Sequence, residues 1–324
     1  MEPATIVARA PELAEGLFGG VVLFMLETLP GLEAAGHRPD WRIDAACYGN
    51  VVPTILEPVD PVPGPERSLV ELRSLHRRAI GGDFASISTL WHSRFRPAPM
   101  VVAAADHVDP GLGNALGVHY RGGDKLRARW DTNPIDRDDF LDLVEDRLAT
   151  GPAFDRCLVT GDDPAFIERA IARLPIPVST PGAGESHRTG PGGDDRSERA
   201  MLAFRDCLLL SRCRAILQTS SALPSFAKVL RPKVDCRRCA ASKWFGEVPY
   251  FPVAHVPRHR PSTDRLRVVV DRAMTGDWLD EPEADPSFST VADRPWTSVA
   301  RPSRAVGRLG RLRERVVRLF PRSA

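Results

Sequence analysis

The chain has 324 residues, of which 43% are hydrophobic and 27% are charged, a balance typical of a soluble globular protein. It is too long for one small core, and none of its apolar runs reaches the roughly 20 residues that a membrane-spanning helix needs. The apolar run Val21–Leu26 follows acidic residues rather than the basic region of a signal peptide. We therefore expect a cytoplasmic protein with two domains and an extension.

The net charge of +2 is unevenly distributed along the chain. From Arg301 to Ala324 there are eight arginines and one acid, Glu314, which gives this segment a charge of +7 and leaves −5 for the rest. A nucleic-acid-binding domain would instead spread basic charge over a folded face. We therefore expect no nucleic-acid partner.

Residues 1–112 are predicted to form a Rossmann-like domain. A glycine turn, Leu17-Phe-Gly-Gly20, precedes a helix over Val21–Gly36 whose apolar residues recur at helical spacing. We expect any strand before this turn to be short, and the proline-rich residues 51–66 indicate a loop. The other predicted elements are a strand over Trp41–Ala46 and helices over Ser68–Ile80 and Ile87–Phe95.

Residues 113–258 are predicted to form a second Rossmann-like domain, because strands alternate with helices as they do around a parallel sheet with right-handed crossovers. The predicted strands are Leu116–Arg121, Cys157–Thr160, Ile176–Ser179 and Ala215–Gln218. The predicted helices are Asp136–Leu148, Pro164–Leu174, Ser197–Ser211 and Pro224–Leu230.

Residues 259–324 form a predicted extension that ends in a basic amphipathic segment. Its apolar residues Val306, Leu309, Leu312, Val316 and Leu319 fall on one helical face with arginines around them. A helix of this kind commonly lies on an anionic membrane surface, so peripheral contact with the inner face of the cell membrane is one interpretation. A solvated or disordered tail is the other.

Six cysteines at irregular spacings form no disulfide framework in a chain of this size. Cys236 and Cys239 make a lone C-x-x-C pair, whereas a structural zinc site would need a second pair at matching spacing. We expect free thiols and no bound metal.

Charged groups concentrate in His119-Tyr-Arg-Gly-Gly-Asp-Lys125, where a strand runs into a glycine turn. If the strand persists to Arg121, its period of two puts His119 and Arg121 on one face. Cationic side chains beside bare backbone N–H groups can bind an anion such as a diphosphate, and ligands bind at this edge of an open α/β sheet. The alternative is an ordinary surface ion pair between Arg121 and Asp124, which contributes little to stability.

Two other predicted strands also end in polar residues that could bind a ligand. In Gly161-Asp162-Asp163-Pro164, one aspartate is expected to cap the helix that Pro164 opens, which leaves the other to bind a ribose or a base edge. Thr219-Ser220-Ser221 leads into another helix N-terminus, where hydroxyl and N–H groups suit phosphate oxygens or cap the helix.

Asp206 shares a helix face with Leu202 and Leu209. A carboxylate on an apolar face is costly unless it is paired. We therefore expect a buried partner or a ligand for Asp206, and the candidate partners are Arg121, Lys125 and Arg212.

Together, these motifs resemble the three donor-site motifs of the GDP-fucose-dependent fucosyltransferases, closest in pattern to the α1,6-fucosyltransferase and nodulation-protein NodZ group. The resemblance covers residues 116–223, and Leu17-Phe-Gly-Gly20 is similar to the glycine-rich opening of the N-terminal domain in that family. It implies an α/β fold of the GT-B type, with two Rossmann-like domains and the nucleotide site mainly on the C-terminal one. It also implies an inverting transfer that needs no metal or other cofactor.

The resemblance implies roles for individual residues as well. Arg121 would contact the β-phosphate of the donor and stabilise the departing GDP, and His119 would shape the same pocket. The other donor-binding residues would be Gly19, Gly20, Asp124, Lys125, Asp162, Asp163, Asp206, Thr219, Ser220 and Ser221.

The chain departs from the α1,6 pattern at two positions. Those enzymes have a second arginine where this chain has Gly122, and a glutamate thought to act as the base where this chain has Arg129. A general base must reach the acceptor hydroxyl. His37 and His119 are the candidates, and His119 is the better one.

The leading hypothesis is a bacterial-type transferase that moves fucose or another sugar from a GDP-sugar to a glycan, a lipid-linked saccharide or a polysaccharide. A transferase for a different nucleotide sugar is a second hypothesis. The hypotheses from another class are a nucleotide-sugar-binding protein without activity, motivated by the missing glutamate, and a peripheral membrane scaffold that docks through residues 301–324.

Overall fold

The computed structural model describes residues 3–10, 16–45, 47–60, 66–67, 84–122, 135–181, 196–219, 221–240 and 255–257. The predicted helix over Ser68–Ile80 and the basic segment 301–324 lie outside these ranges, as do Asp124, Lys125, Arg129 and Ser220.

A four-stranded sheet forms the first part of the fold. Its strands are β1 (Pro3–Ala10), β2 (Arg38–Ala45), β3 (Gly49–Val52) and β5 (Glu66–Arg67), in the order β3-β2-β1-β5. β1 pairs in parallel with β2 and β5, whereas β3 is antiparallel to β2. β1 has eight residues, so the expectation of a short strand was wrong. The β-branched run Thr5-Ile-Val7 favours this longer strand.

The segment predicted as a loop over residues 51–66 also contains strands. Besides β3, it includes β4 (Leu56–Pro58), which pairs antiparallel with β6 (Phe95–Pro97). Two of the prolines that suggested a loop stand after β3, at Pro53, and at the end of β4, at Pro58, and the others lie outside the described residues. At strand ends, a missing N–H group removes little from the hydrogen-bond ladder.

The helices of this part agree with the predictions, with one addition. The glycine turn forms a π-helical turn over Leu17–Val22 that continues into α1 (Leu23–Ala34), and Gly36 ends it with φ 85°. α2 (Phe84–Arg94) lies close to its predicted place. α3 (Pro99–Val108) was not predicted; Pro99 stands in its first turn, where a proline is tolerated.

A six-stranded parallel sheet forms the second part. Its strands are β7 (Ala115–Tyr120), β8 (Arg156–Gly161), β9 (Val178–Ser179), β10 (Ala215–Gln218), β11 (Asp235–Ala240) and β12 (His255–Pro257). The order is β12-β11-β10-β7-β8-β9, and every pair is parallel. Counted from β7, this is the 3-2-1-4-5-6 order of a doubly wound Rossmann sheet, which confirms the predicted α/β fold. Its topological switch point lies between β7 and β10.

The helices of this sheet begin and end within two residues of their predicted bounds. They are α4 (Arg137–Thr150), α5 (Pro164–Arg173), α6 (Arg196–Arg212) and α7 (Ala222–Leu230). β11 and β12 were not predicted, since the arginines at 237 and 238 interrupt the apolar pattern that marks a buried strand.

Aromatic side chains fill both sides of the sheet. On the side of α4 and α5, the Tyr120 ring stacks on Phe166 at 4.4 Å between centroids. On the side of α6 and α7, Phe18 from the π-helical turn lies 5.5 Å from Phe204 and 5.3 Å from Phe226. One buried hydrophobic cluster therefore includes residues of both parts of the chain. The division into domains at residues 112 and 113 stays a prediction.

The cysteines follow the expectation of free thiols. All six are free. Cys236 and Cys239 are three residues apart on β11, so they point to opposite faces of the sheet and belong to different buried clusters. In the part of the chain that the structure describes, no helix has the length and apolar character to cross a membrane.

Replacing Phe18 by Ala is expected to lower the free energy of unfolding by about 3–5 kcal/mol, because it opens a cavity among aromatic rings from both parts of the chain. The control is Ile171→Ala, at a side chain that is 53% exposed, and it should change the free energy of unfolding by less than about 0.5 kcal/mol. Urea denaturation followed by fluorescence measures both. Equal losses in the two variants would show that Phe18 is not part of a shared core.

Candidate functional site

Hydrogen bonds to the ends of the two neighbouring strands fix the backbone that follows β7. β7 ends at Tyr120, so Arg121 and Gly122 form the turn after it. The Arg121 N–H donates to Thr219 Oγ1 at 2.7 Å, and the Thr219 N–H donates to the His119 carbonyl at 3.0 Å. On the other side, the Gly122 N–H donates to Asp162 Oδ1 at 2.6 Å. These bonds place Arg121 at the switch point of the sheet.

The Arg121 guanidinium is held by the same aspartate. Its Nη1 lies 3.2 Å from Asp162 Oδ2, and the two side chains are only 12% and 10% exposed. The sequence did not predict this sheltered pair with Asp162, and the alternative pair with Asp124 lies outside the described residues. The pair places a sheltered guanidinium at the switch point, where open α/β sheets bind their ligands.

The two adjacent aspartates after β8 divide the predicted roles. Asp163 caps α5 by accepting from the Phe166 N–H at 3.1 Å, and it also accepts from Arg137 Nε at 2.8 Å. Asp162 binds the Arg121 guanidinium and accepts from the Gly122 N–H, and its contact with a ribose or a base edge stays a prediction. The capping prediction is confirmed, and both aspartates act on the protein itself.

Two glycines allow these close approaches. A Cβ on Gly122 would lie 2.9 Å from Asp163 Oδ2 and 3.1 Å from its Cβ. Gly161 has φ +155°, and a Cβ there would lie 2.2 Å from the Tyr120 carbonyl oxygen. A side chain at position 122 would therefore require the Asp163 side chain to shift.

A row of four buried polar side chains crosses the sheet just inside this edge. In strand order they are Thr160, His119, Gln218 and Arg238, paired in register and each at most 3% exposed. They lie on the face covered by α6 and α7. Gln218 contacts the Ser225 hydroxyl of α7 at 2.8 Å. Gln218 and Arg238 were not predicted, since their place in the row depends on strand register.

His119 does not fit the role of general base. It is fully buried, and burial together with the charge of Arg121 lowers its pKa to about 3. A base needs a pKa near the operating pH and access to the acceptor, and His119 has neither. It contributes a neutral imidazole to the floor of the site.

Asp206 has a buried partner, as the sequence required, and it is one that the sequence did not indicate. It is 1% exposed, and Arg205 on the same helix binds its Oδ1 through Nε at 2.9 Å and Nη2 at 2.8 Å. Arg212, one of the predicted partners, pairs with Asp106 at 2.7 Å. Arg205 was missed because adjacent residues on a helix ordinarily point in different directions.

The glycine turn of the first part approaches the same edge. A Cβ on Gly19 would lie 3.6 Å from the Cβ of Ala222, the first residue of α7. Gly20 is in the same π-helical turn. Ser221 stands at the N-cap of α7 without a side-chain capping bond, so the first N–H groups of α7 face this region. Of the three hydroxyl residues that were predicted to bind the donor, Thr219 accepts from the Arg121 N–H and Ser221 is the N-cap residue of α7.

Tyr48, in the turn between β2 and β3, is a neighbour of Arg121 that the sequence did not indicate. It is 8% exposed. Burial raises the pKa of its phenol, and the Leu17 backbone and the positive charge of Arg121 only partly oppose this effect. The first sheet therefore also contributes a side chain near Arg121.

Among the described residues, no group of three His, Cys, Asp or Glu is placed to hold a metal ion. The absence of a metal from the reaction stays a prediction.

The comparisons with known proteins rest on structure alone, because no family model and no curated protein matches the sequence. The fucosyltransferase NodZ from Bradyrhizobium aligns with a TM-score of 0.49 at 13% identity, over 72% of this chain and 94% of that one. NodZ alpha-1,6-fucosyltransferase soaked with GDP-fucose gives 0.48 at 14%, with the same coverage. POFUT1 in complex with GDP gives 0.44 at 10%, over 73% of this chain and 97% of that one.

Replacing Gly161 by Ala is expected to lower stability by about 1–3 kcal/mol from backbone strain, and further because the methyl group meets the Tyr120 carbonyl. Gly113→Ala is the matched control, because a Cβ there meets nothing within 4 Å. Thermal unfolding of both variants measures the difference. Similar melting temperatures would contradict the tight packing of this turn.

The burial of His119 predicts a pH dependence of stability. Its folded pKa of about 3 lies below the ordinary value of 6.5, so the unfolded state binds a proton that the folded state does not. The contribution of His119 to the free energy of unfolding is therefore fully present above pH 6.5 and is lost as the pH falls toward 3. Between pH 7 and pH 5, the free energy of unfolding of the native chain should fall by about 2 kcal/mol more than that of the His119→Asn variant. Urea denaturation at both pH values tests this, and parallel losses in the two proteins would refute it.

Proposed function

We propose that this chain is a glycosyltransferase that binds a GDP-sugar, GDP-fucose in particular, and transfers the sugar to a hydroxyl of a glycan or another saccharide. The observation that carries the proposal is the place of Arg121. A sheltered arginine stands at the switch point of a doubly wound sheet, with its backbone fixed by Thr219 and Asp162. Open α/β sheets bind nucleotides at such a point.

The groups around Arg121 suit a diphosphate. The guanidinium offers charged N–H donors, and the N-terminus of α7 offers backbone N–H groups and the positive end of a helix dipole. The motifs that hold these groups are those that resemble the donor site of the GDP-fucose-dependent enzymes. We propose that the protein groups balance the charge of the diphosphate without a metal ion.

The proposed reaction is a displacement with inversion. An oxygen of the acceptor hydroxyl forms a bond to the anomeric carbon from the face opposite the diphosphate, as the bond from that carbon to the β-phosphate oxygen breaks. The electron pair stays on the phosphate oxygen, and Arg121 stabilises the negative charge that develops there. The proton of the acceptor hydroxyl passes to a base, and His119 is not that base.

A second candidate is a protein that binds the nucleotide sugar without transferring it. The observation in its favour is that His119 is buried with a lowered pKa, while Arg129 stands where related enzymes have a glutamate. The two candidates share the donor site. Formation of a glycosylated product distinguishes them.

The basic segment 301–324 is relevant to which class of acceptor we propose. Its sequence pattern favours contact with an anionic membrane surface. We therefore include a membrane-associated saccharide among the proposed acceptors, with the protein on the cytoplasmic side.

Replacing Arg121 by Ala is expected to weaken GDP binding by about 10–100-fold, because charge-assisted hydrogen bonds to phosphate are lost. Calorimetric titration with GDP and GDP-fucose, in EDTA, measures the effect. Arg96→Ala is the control, since that arginine is 67% exposed and pairs with Glu57. It should bind GDP as the native chain does.

The same experiment separates the outcomes. Metal-free binding that only the Arg121 variant loses would support the donor site and justify a screen of saccharide acceptors. If the native chain bound no guanine nucleotide, the proposed donor would be wrong.

A further inference from the structure

An aromatic core joins the first part of the chain to the second sheet. Phe18 of the π-helical turn lies 5.5 Å from Phe204 of α6 and 5.3 Å from Phe226 of α7. Trp91 of α2 lies 5.9 Å and 5.1 Å from the same two rings. Each of the four side chains is at most 3% exposed. Aromatic side chains bury the largest apolar areas, about 150–250 Å² each, so a separation of the two parts would expose all four rings to water.

Polar contacts join the two parts on either side of this core. At the start of α6, Arg199 Nη1 donates to the Cys47 carbonyl at 3.3 Å, in the turn between β2 and β3. At the end of α7, His92 Nε2 of α2 lies 3.1 Å from the Leu230 carbonyl oxygen. A crossover helix returns the chain from the carboxyl edge of a parallel sheet to the amino edge, so these contacts lie at opposite edges of the second sheet. A rotation about the aromatic core would break at least one of them.

The backbones of the two parts also approach each other closely beside the candidate site. A Cβ on Gly49 of β3 would lie 2.7 Å from Ser197 Oγ and 3.3 Å from Ser197 N, at the start of α6. A Cβ on Gly19 would lie 3.6 Å from the Cβ of Ala222, at the start of α7. Closely packed surfaces shift between discrete arrangements rather than sliding gradually. A sliding motion would therefore require repacking at the starts of both helices.

We propose that the first part and the second sheet move as one rigid body, so that the candidate site is already formed in the free protein. Hinge and shear closure around a ligand is common where two lobes meet at a binding site. In this chain the aromatic core and the contacts at both edges oppose it. The rigid body is a property of the free protein, whereas its behaviour with a nucleotide bound rests on the proposed function.

Distances between pairs of spin labels, measured by double electron–electron resonance, test the proposal. The background variant is Cys47→Ser, because Cys47 is the one thiol of the six that is not buried. Thr54→Cys, in the exposed turn after β3, labels the first part. Ile171→Cys on α5 and Lys233→Cys before β11 label the second part at exposed positions.

The pair 54/171 measures the distance between the two parts, and the pair 171/233 is the matched control within the second part. Circular dichroism identifies the folded variants, and Glu168→Cys, also exposed on α5, replaces Ile171→Cys if that variant fails to fold. In the free protein, the pair 54/171 should give a single distance distribution that is as narrow as the control. A second peak, or a clearly broader distribution, would overturn the proposal.

Saturation with GDP provides the second arm. The mean 54/171 distance should change by less than about 2 Å, as in complexes whose partners keep their backbone arrangement. A larger shift in this pair, with the control pair unchanged, would show that the two parts close on the nucleotide and that the proposal is wrong.

The outcomes also separate the rigid body from the proposed function. If calorimetry showed that GDP binds and the 54/171 distance shifted, the rigid body would be overturned and the donor site would stand. If the native chain bound no guanine nucleotide, the proposed donor would be wrong, and the distance distribution of the free protein would still decide whether the two parts move as one.

Discussion

The candidate site depends on one constraint, the attachment of the Arg121–Gly122 backbone to the strands on both sides. Thr219 fixes it to β10 and Asp162 fixes it to β8, so the turn cannot move without breaking bonds at two strand ends. The guanidinium of Arg121 is thereby positioned before any ligand arrives. Such preorganisation matters for chemistry that relies on stabilising developing charge, because no reorganisation is then needed during the reaction.

The carboxylates near the site act mainly on arginines of the protein. Asp162 binds Arg121, Asp163 binds Arg137 and Asp206 binds Arg205. A buried ion pair contributes little net stability, but removing one partner leaves a costly buried charge. These pairs therefore hold the three arginines in defined positions.

The sequence predicted the second sheet well, because its strands are short apolar runs with turn signals between them. β11 escaped prediction since Arg237 and Arg238 stand within it. The candidate site was predicted in its parts, but its assembly depends on register. Only the pairing of β10 with β7 shows that Thr219 holds Arg121, and only the three-dimensional packing shows that His119 is buried with a pKa of about 3. Burial and partner choice arise from distant segments, so local patterns do not contain them.

The aromatic cluster around Phe18 has a consequence for synthesis on the ribosome. Phe18 packs on Phe204 and Phe226, and Trp91 packs on both of them, so early and late segments complete one core. Phe18 emerges about 200 residues before Phe204 and Phe226, a long-range closure of the kind that slows folding. Until α7 is made, the nascent chain exposes Phe18 and Trp91. The N-terminal part of the chain therefore completes its core only after most of the protein has been synthesised.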